Sequence, residues 1–159
     1  GFDPGDVPYI LILAGAGMVV GNVIGGKLAD TFKKEKALIV LFLIMALDLV
    51  LVFFFTFNPH VSLLLVFLTG CISFTFIASI QMLMIQIAVG AEMIASAAIQ
   101  AAFNIGNALG AFLGGLPLIA GFSYASPNLI GVGMSLMGVL FTVILVRRRS
   151  FLRLKPVLV

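Results

Sequence analysis

Residues 37–57 read ALIVLFLIMALDLVLVFFFTF, twenty-one positions with one charged side chain, Asp48. A membrane crossing needs about 20 predominantly apolar residues. This stretch meets that length between Lys33-Lys34-Glu35-Lys36 and the turn residues Asn58-Pro59-His60. Lipid supplies no hydrogen-bond partner, so the backbone must satisfy itself as a helix or within a closed barrel. Barrel strands alternate in polarity, and residues 37–57 do not. A helix is therefore predicted.

The same reading extends outward. Four further apolar stretches, 8–29, 62–89, 93–121 and 127–146, are long enough to cross. Asp6 before Val7-Pro8 and Ser126 before Pro127 place a capping oxygen ahead of a first-turn proline, where no amide is missed. The links between stretches have at most seven residues, leaving no room for a soluble domain. The expected fold is an all-α polytopic membrane protein of five transmembrane helices. Composition agrees. Of 159 residues, 62% are hydrophobic and 9% charged, where soluble domains have about 45–50% and about 25%. That excludes a disordered chain, a coiled coil and, despite the +3 net charge, a nucleic-acid module.

Charge sets the orientation. Lys27, Lys33, Lys34 and Lys36 cluster between the first two spans, and Arg147, Arg148, Arg149, Arg153 and Lys155 follow the fifth. Five crossings place all nine basic residues on one side, which the positive-inside rule makes cytoplasmic. Tyr9 and Tyr124 fall at the opposite face, where aromatic belts sit. An outside N-terminus must be delivered by an upstream span. Residues 1–159 are thus expected to be a fragment of a longer protein.

Helices in lipid are held together by close packing of small residues. Gly17, Gly21 and Gly25 repeat every fourth position in span one, as do Gly106, Gly110 and Gly114 in span four. Two close crossings are expected. At 100° per residue, Ser96, Gln100, Asn104 and Asn107 share a sector of about 80° beside the second ladder. Thr75, Ser79 and Gln86 form a looser stripe in span three. Amides facing lipid are expensive, so these residues should face protein or a watery cavity. Either they bond neighbouring helices, or they line a cavity for small neutral or amphipathic solutes, sugar-like or drug-like. Asp48 is the one ionisable group well inside a span, a possible protonatable site or a helix-to-helix hydrogen-bond partner.

Several signals point nowhere. Gly21 to Lys27 approaches a phosphate-binding loop but lacks its Ser/Thr and lies in an apolar span. Gly133-Met-Ser135 has no histidine to serve it, since His60 is in an outer loop. One cysteine, Cys71, allows no intrachain disulfide. No metal or cofactor motif is present, and no enzyme is expected.

Gly25-Gly26-Lys27-Leu28-Ala29-Asp30-Thr31-Phe32-Lys33-Lys34 resembles the cytoplasmic loop signature of the major facilitator superfamily, Gly-x-x-x-Asp followed by basic residues. Gly26 and Asp30 match its Gly and Asp and Lys34 a basic position, while Thr31 and Lys33 depart from it, as in a degenerate second-half copy. Residues 100–115, QAAFNIGNALGAFLGG, are similar to helix eleven of the drug:proton antiporter branch, especially arabinose-efflux-permease-like exporters. GFDPGD followed by LAGAGMVVGNVIGG is similar to the start of helix eight in that group. The resemblance implies helices eight to twelve of a twelve-helix transporter, a partial C-terminal six-helix bundle lacking helix seven and the N-terminal half. It also implies a bacterial inner-membrane exporter coupled to protons, with a small-molecule substrate and a cavity wall on span four. Asp30 with Lys33 or Lys34 would form a cytoplasmic gate latch. The alternative is a non-transporting membrane scaffold or assembly subunit in which the stripe is interhelical glue.

Overall fold

A computed structural model describes residues 2–31 and 34–153. A short 3-10 turn, Pro4–Asp6, leads into α1 (Val7–Thr31), followed by α2 (Lys34–Phe55), α3 (Pro59–Ile87), α4 (Glu92–Ile119) and α5 (Pro127–Arg153). All five are long and apolar enough to cross a membrane, and no strand occurs among the described residues. The chain is all-helical because its apolar runs lack the alternation a barrel requires.

Local chemistry marks the ends. Asn58 caps α3, its side-chain oxygen accepting from the amides of His60 at 3.1 Å and Val61 at 3.4 Å, with Pro59 in the first turn. Asp6 departs from the expected capping of α1: its carboxylate turns back to accept from the Asp3 amide at 3.1 Å. The 3-10 turn runs directly into α1, so the cap falls one turn earlier. Gly121 closes α4 at φ +82°, a left-handed conformation that glycine adopts without a Cβ clash.

The principal packed pairs are α1 with α3, α2 with α3, α2 with α5, α3 with α4, and α4 with α5. Thus α2, α3, α4 and α5 form a closed ring of neighbours, and α1 lies against the outer side of α3. The α1–α3 seam is the tightest. A Cβ added at Gly17 would collide with the carbonyl of Phe67, one at Gly21 with that of Cys71, and one at Gly25 would lie 2.6 Å from the Thr75 carbonyl oxygen. Gly70 reciprocates from α3, its Cβ position 2.6 Å from the Ala14 carbonyl oxygen.

The expectation of a second close crossing differs. Cβ positions at Gly106 and Gly110 meet nothing within 4 Å, and the one at Gly114 only touches the Pro127 side chain at 3.6 Å. Opposite Gly106, α2 and α3 present the rings of Phe42 and Phe76, edge to face with centroids 4.4 Å apart, across a pocket in place of a close backbone. Small residues instead seat α5 on α2. Gly131 receives Leu49, and Gly138 receives the ring of Phe42. Their spacing of seven residues keeps both on one helix face.

What is buried fits a lipid solvent. Leu41, Ala46, Leu65, Ala78, Ile99 and Ala125 are buried beside the polar Asp48, Thr75, Ser79 and Ser135, while many large apolar side chains lie on the outer surface. Apolar side chains gain little by leaving lipid, so burial selects small and hydrogen-bonding groups. Gly21→Ala is expected to destabilise the full-length protein by about 1–3 kcal/mol through overpacking. Gly106→Ala should be neutral or gain up to about 1 kcal/mol from its lower chain entropy. Thermal unfolding of the two variants in detergent checks the contrast.

Candidate functional site

A helix carrying amides every three or four positions presents them on one side. On α4, Ser96, Gln100, Asn104 and Asn107 are all exposed on the surface of the five-helix assembly. None of the four side chains is hydrogen-bonded among the described residues. The glycine sector beside them faces the ring. Ile99 is the buried residue of α4, and Gly106 lines a pocket of about 340 Å³ with Phe42, Met45, Phe76, Met134 and Ser135. One side of α4 therefore packs inward, and the neighbouring side offers neutral donors and acceptors outward.

The α3 stripe has another setting. Thr75 is 4% exposed, and its hydroxyl donates to the Gly21 carbonyl of α1 at 3.0 Å, with the Cys71 carbonyl of its own helix at 2.8 Å. Ser79, also buried, donates to the Gly25 carbonyl at 3.4 Å. Both hydroxyls thus face α1 and reinforce the glycine seam. The absence of Cβ atoms at Gly21 and Gly25 is what lets hydroxyls reach those carbonyls. Gln86, farther along α3, is exposed. The structure does not bring the α3 and α4 stripes together, because α1 covers one and is not a packed neighbour of the helix bearing the other.

Asp48 is buried at 4% exposure between α2 and α3. Its Oδ2 lies 2.6 Å from the hydroxyl oxygen of Thr69, which lies 2.8 Å from the Leu65 carbonyl oxygen. Thr69 escaped the sequence reading; the available signal was a lone hydroxyl among apolar residues of α3, with no indication of which helix it meets. The Gly131 and Gly138 contacts escaped it too, though their spacing placed them on one face. Of the loop residues, Gly26 lies on α1 with open space around its Cβ position. Lys33 and the side chains of Asp30 and Lys34 lie outside the described residues.

Comparison with known proteins points to transport. The chain is 34% identical over 124 residues to AraJ of Escherichia coli (strain K12), named as a transporter, covering 78% of this chain and 32% of AraJ. It is 33% identical over 125 residues to YdhP of the same organism, named as an inner membrane transport protein, covering 79% and 32% of the two chains. Against YtbD of Bacillus subtilis (strain 168), named as an uncharacterized MFS-type transporter, it is 33% identical over 120 residues, 73% and 30% of the two. The chain spans about a third of the length of these relatives. No family model and no solved structure matches it. The relatives are transport proteins by name, none an enzyme, in keeping with a sequence that holds no catalytic constellation.

Removing one hydroxyl tests the seam. Thr75→Val keeps the side-chain volume and deletes the bond to α1, and is expected to cost about 0.6–1.7 kcal/mol, the range for such bonds between membrane helices. The measurement is thermal unfolding of the full-length variant beside wild type.

Proposed function

We propose that the chain is a piece of a major facilitator secondary transporter, helices eight to twelve of twelve, and that the outward face of α4 lines its translocation cavity. The observation that carries this reading is the exposed row of Gln100, Asn104 and Asn107, with Ser96 one turn earlier. Amides facing hydrocarbon lack hydrogen-bond partners, so such a row is stable only against protein or water. A wall of uncharged donors and acceptors suits neutral or amphipathic solutes, sugar-like or drug-like. Similarity to AraJ, YdhP and the MFS-type YtbD over about three quarters of the chain supports the family and the transport role. The resemblance of residues 100–115 to helix eleven supports the drug:proton antiporter branch and proton-coupled export.

In this reading the bundle rocks against an N-terminal half of the same protein, opening the α4 face to alternate sides of the membrane. Thr75 and Ser79 act elsewhere, holding α1 and α3 together as a unit through that motion. Gly26, Asp30, Lys33 and Lys34 form the cytoplasmic latch. The nine basic residues put the α1–α2 link and the C-terminus in the cytoplasm, and the name of YdhP supports a bacterial inner membrane.

Replacing Gln100 and Asn104 with Leu in the full-length protein tests the assignment. Each lost hydrogen bond is worth about 0.5–1.5 kcal/mol, so losing two should lower solute efflux from vesicles by about five- to 150-fold. Expression and thermal stability should match wild type. Unchanged efflux overturns the cavity assignment. Loss of assembly, with no flux to lose, would favour a scaffold in which the stripe is glue.

A further inference from the structure

Asp48 sits in the middle of α2 with its carboxyl group buried against α3. Its Oδ1 has no hydrogen-bond partner among the described residues. Among the described residues no charged group faces it. Along α2 the next described cation towards the N-terminus is Lys36, twelve residues or about 18 Å away by helix rise. On α3, His60 lies nine residues from Thr69, about 14 Å away. Cys71 is on the side of α3 turned to Gly21 of α1. On α5, Gly131 packs against Leu49, and Arg147 is sixteen residues farther, about 24 Å away.

The number of protons available favours the neutral acid. A threonine hydroxyl has one proton to donate. Thr69 places its oxygen within hydrogen-bond distance of two groups, Asp48 Oδ2 at 2.6 Å and the Leu65 carbonyl at 2.8 Å. The carbonyl can only accept. An ionised Asp48 can also only accept, so one proton would serve two acceptors while a charged oxygen lay buried without a partner. A protonated Asp48 gives each contact its own proton and leaves Oδ1 uncharged: the Asp48 O–H donates to Thr69, and the Thr69 O–H donates to Leu65. At Thr75 one proton is shared between two carbonyls, but both are neutral, whereas an ionised Asp48 would add a buried charge to such sharing. The Thr75 contact across to α1 is 3.0 Å, longer than the contact between Thr69 and Asp48.

We propose that Asp48 is a proton-binding site inside the helix bundle, resting as a neutral carboxylic acid that donates to Thr69 and thereby joins α2 to α3. Release of that proton to water would leave a carboxylate, and the Thr69 hydroxyl would turn its own proton from Leu65 to Asp48. Proton occupancy therefore sets the direction of the Thr69–Asp48 bond and whether the Leu65 carbonyl keeps its hydroxyl partner. This holds whatever the bundle carries, and does not depend on the α4 face lining a cavity.

Infrared spectroscopy of the full-length protein in lipid vesicles at neutral pH, with carboxyl-labelled aspartate, reads the protonation state directly. A label-shifted carboxylic-acid C=O band is expected in wild type, absent in Asp48→Asn and displaced in Thr69→Val, which loses the acceptor. If Asp48 contributes only carboxylate bands, the proposal is wrong. Should Asp48→Asn fail to fold, the difference between wild type and Thr69→Val reports the same group. A displaced acid band there supports the proposal, and a spectrum changing only in the carboxylate region, or not at all, overturns it.

Discussion

The close approach of α1 and α3 is the contact on which the placement of the other parts depends, and it exists because three glycines present bare backbone at one-turn intervals. In water, two such helices would be driven together by their apolar faces. In lipid that force is missing, and dispersion at short range has to replace it, together with hydrogen bonds that need no competing solvent. Gly17, Gly21 and Gly25 allow the first by bringing no Cβ of their own to the seam. They allow the second by leaving carbonyls open to Thr75 and Ser79.

Helix pairing, beginning with that seam, fixes which polar groups are consumed by the fold and which are left for something else. Two hydroxyls of α3 are used in holding α1, so their chemistry is structural. Asp48 and Thr69 are used between α2 and α3. Among the described residues, the amides of α4 are hydrogen-bonded to none of the five helices. A polar side chain unassigned within a fold, on a helix that would otherwise face lipid, is where recognition of a solute can be built at no cost to packing. Gly106 and its pocket show the opposite solution on the same helix, where the inward sector is spacious and its facing groups are largely apolar.

Much of the architecture was legible in the residues because the lipid solvent permits so few answers. Span number and helical character follow from apolar run length and the absence of alternation, and the five helices found here match them. The α1 glycine ladder was legible as a packing face because a four-residue repeat stays on one side of a helix. The α4 ladder carries the same repeat and makes no such contact; Gly106 faces a pocket lined by Phe42 and Phe76. Repeat spacing describes one helix, whereas a close crossing requires two. The stripes follow the same rule. Periodicity aligned Thr75 with Ser79 and Gln100 with Asn104, but whether each row meets a helix or an open face depends on which neighbour lies opposite.

The sequence by itself therefore determined the solvent, the number of helices and the sides on which their small and polar residues lie. Those properties come from run length and helical period, which are local. Only the tertiary structure decided that α1 covers Thr75 and Ser79, that Thr69 is the partner of Asp48, and that the amides of α4 stay uncovered by these five helices. Pairing of this kind depends on the shapes of two surfaces at once, and in lipid no general attraction between apolar faces announces it in advance.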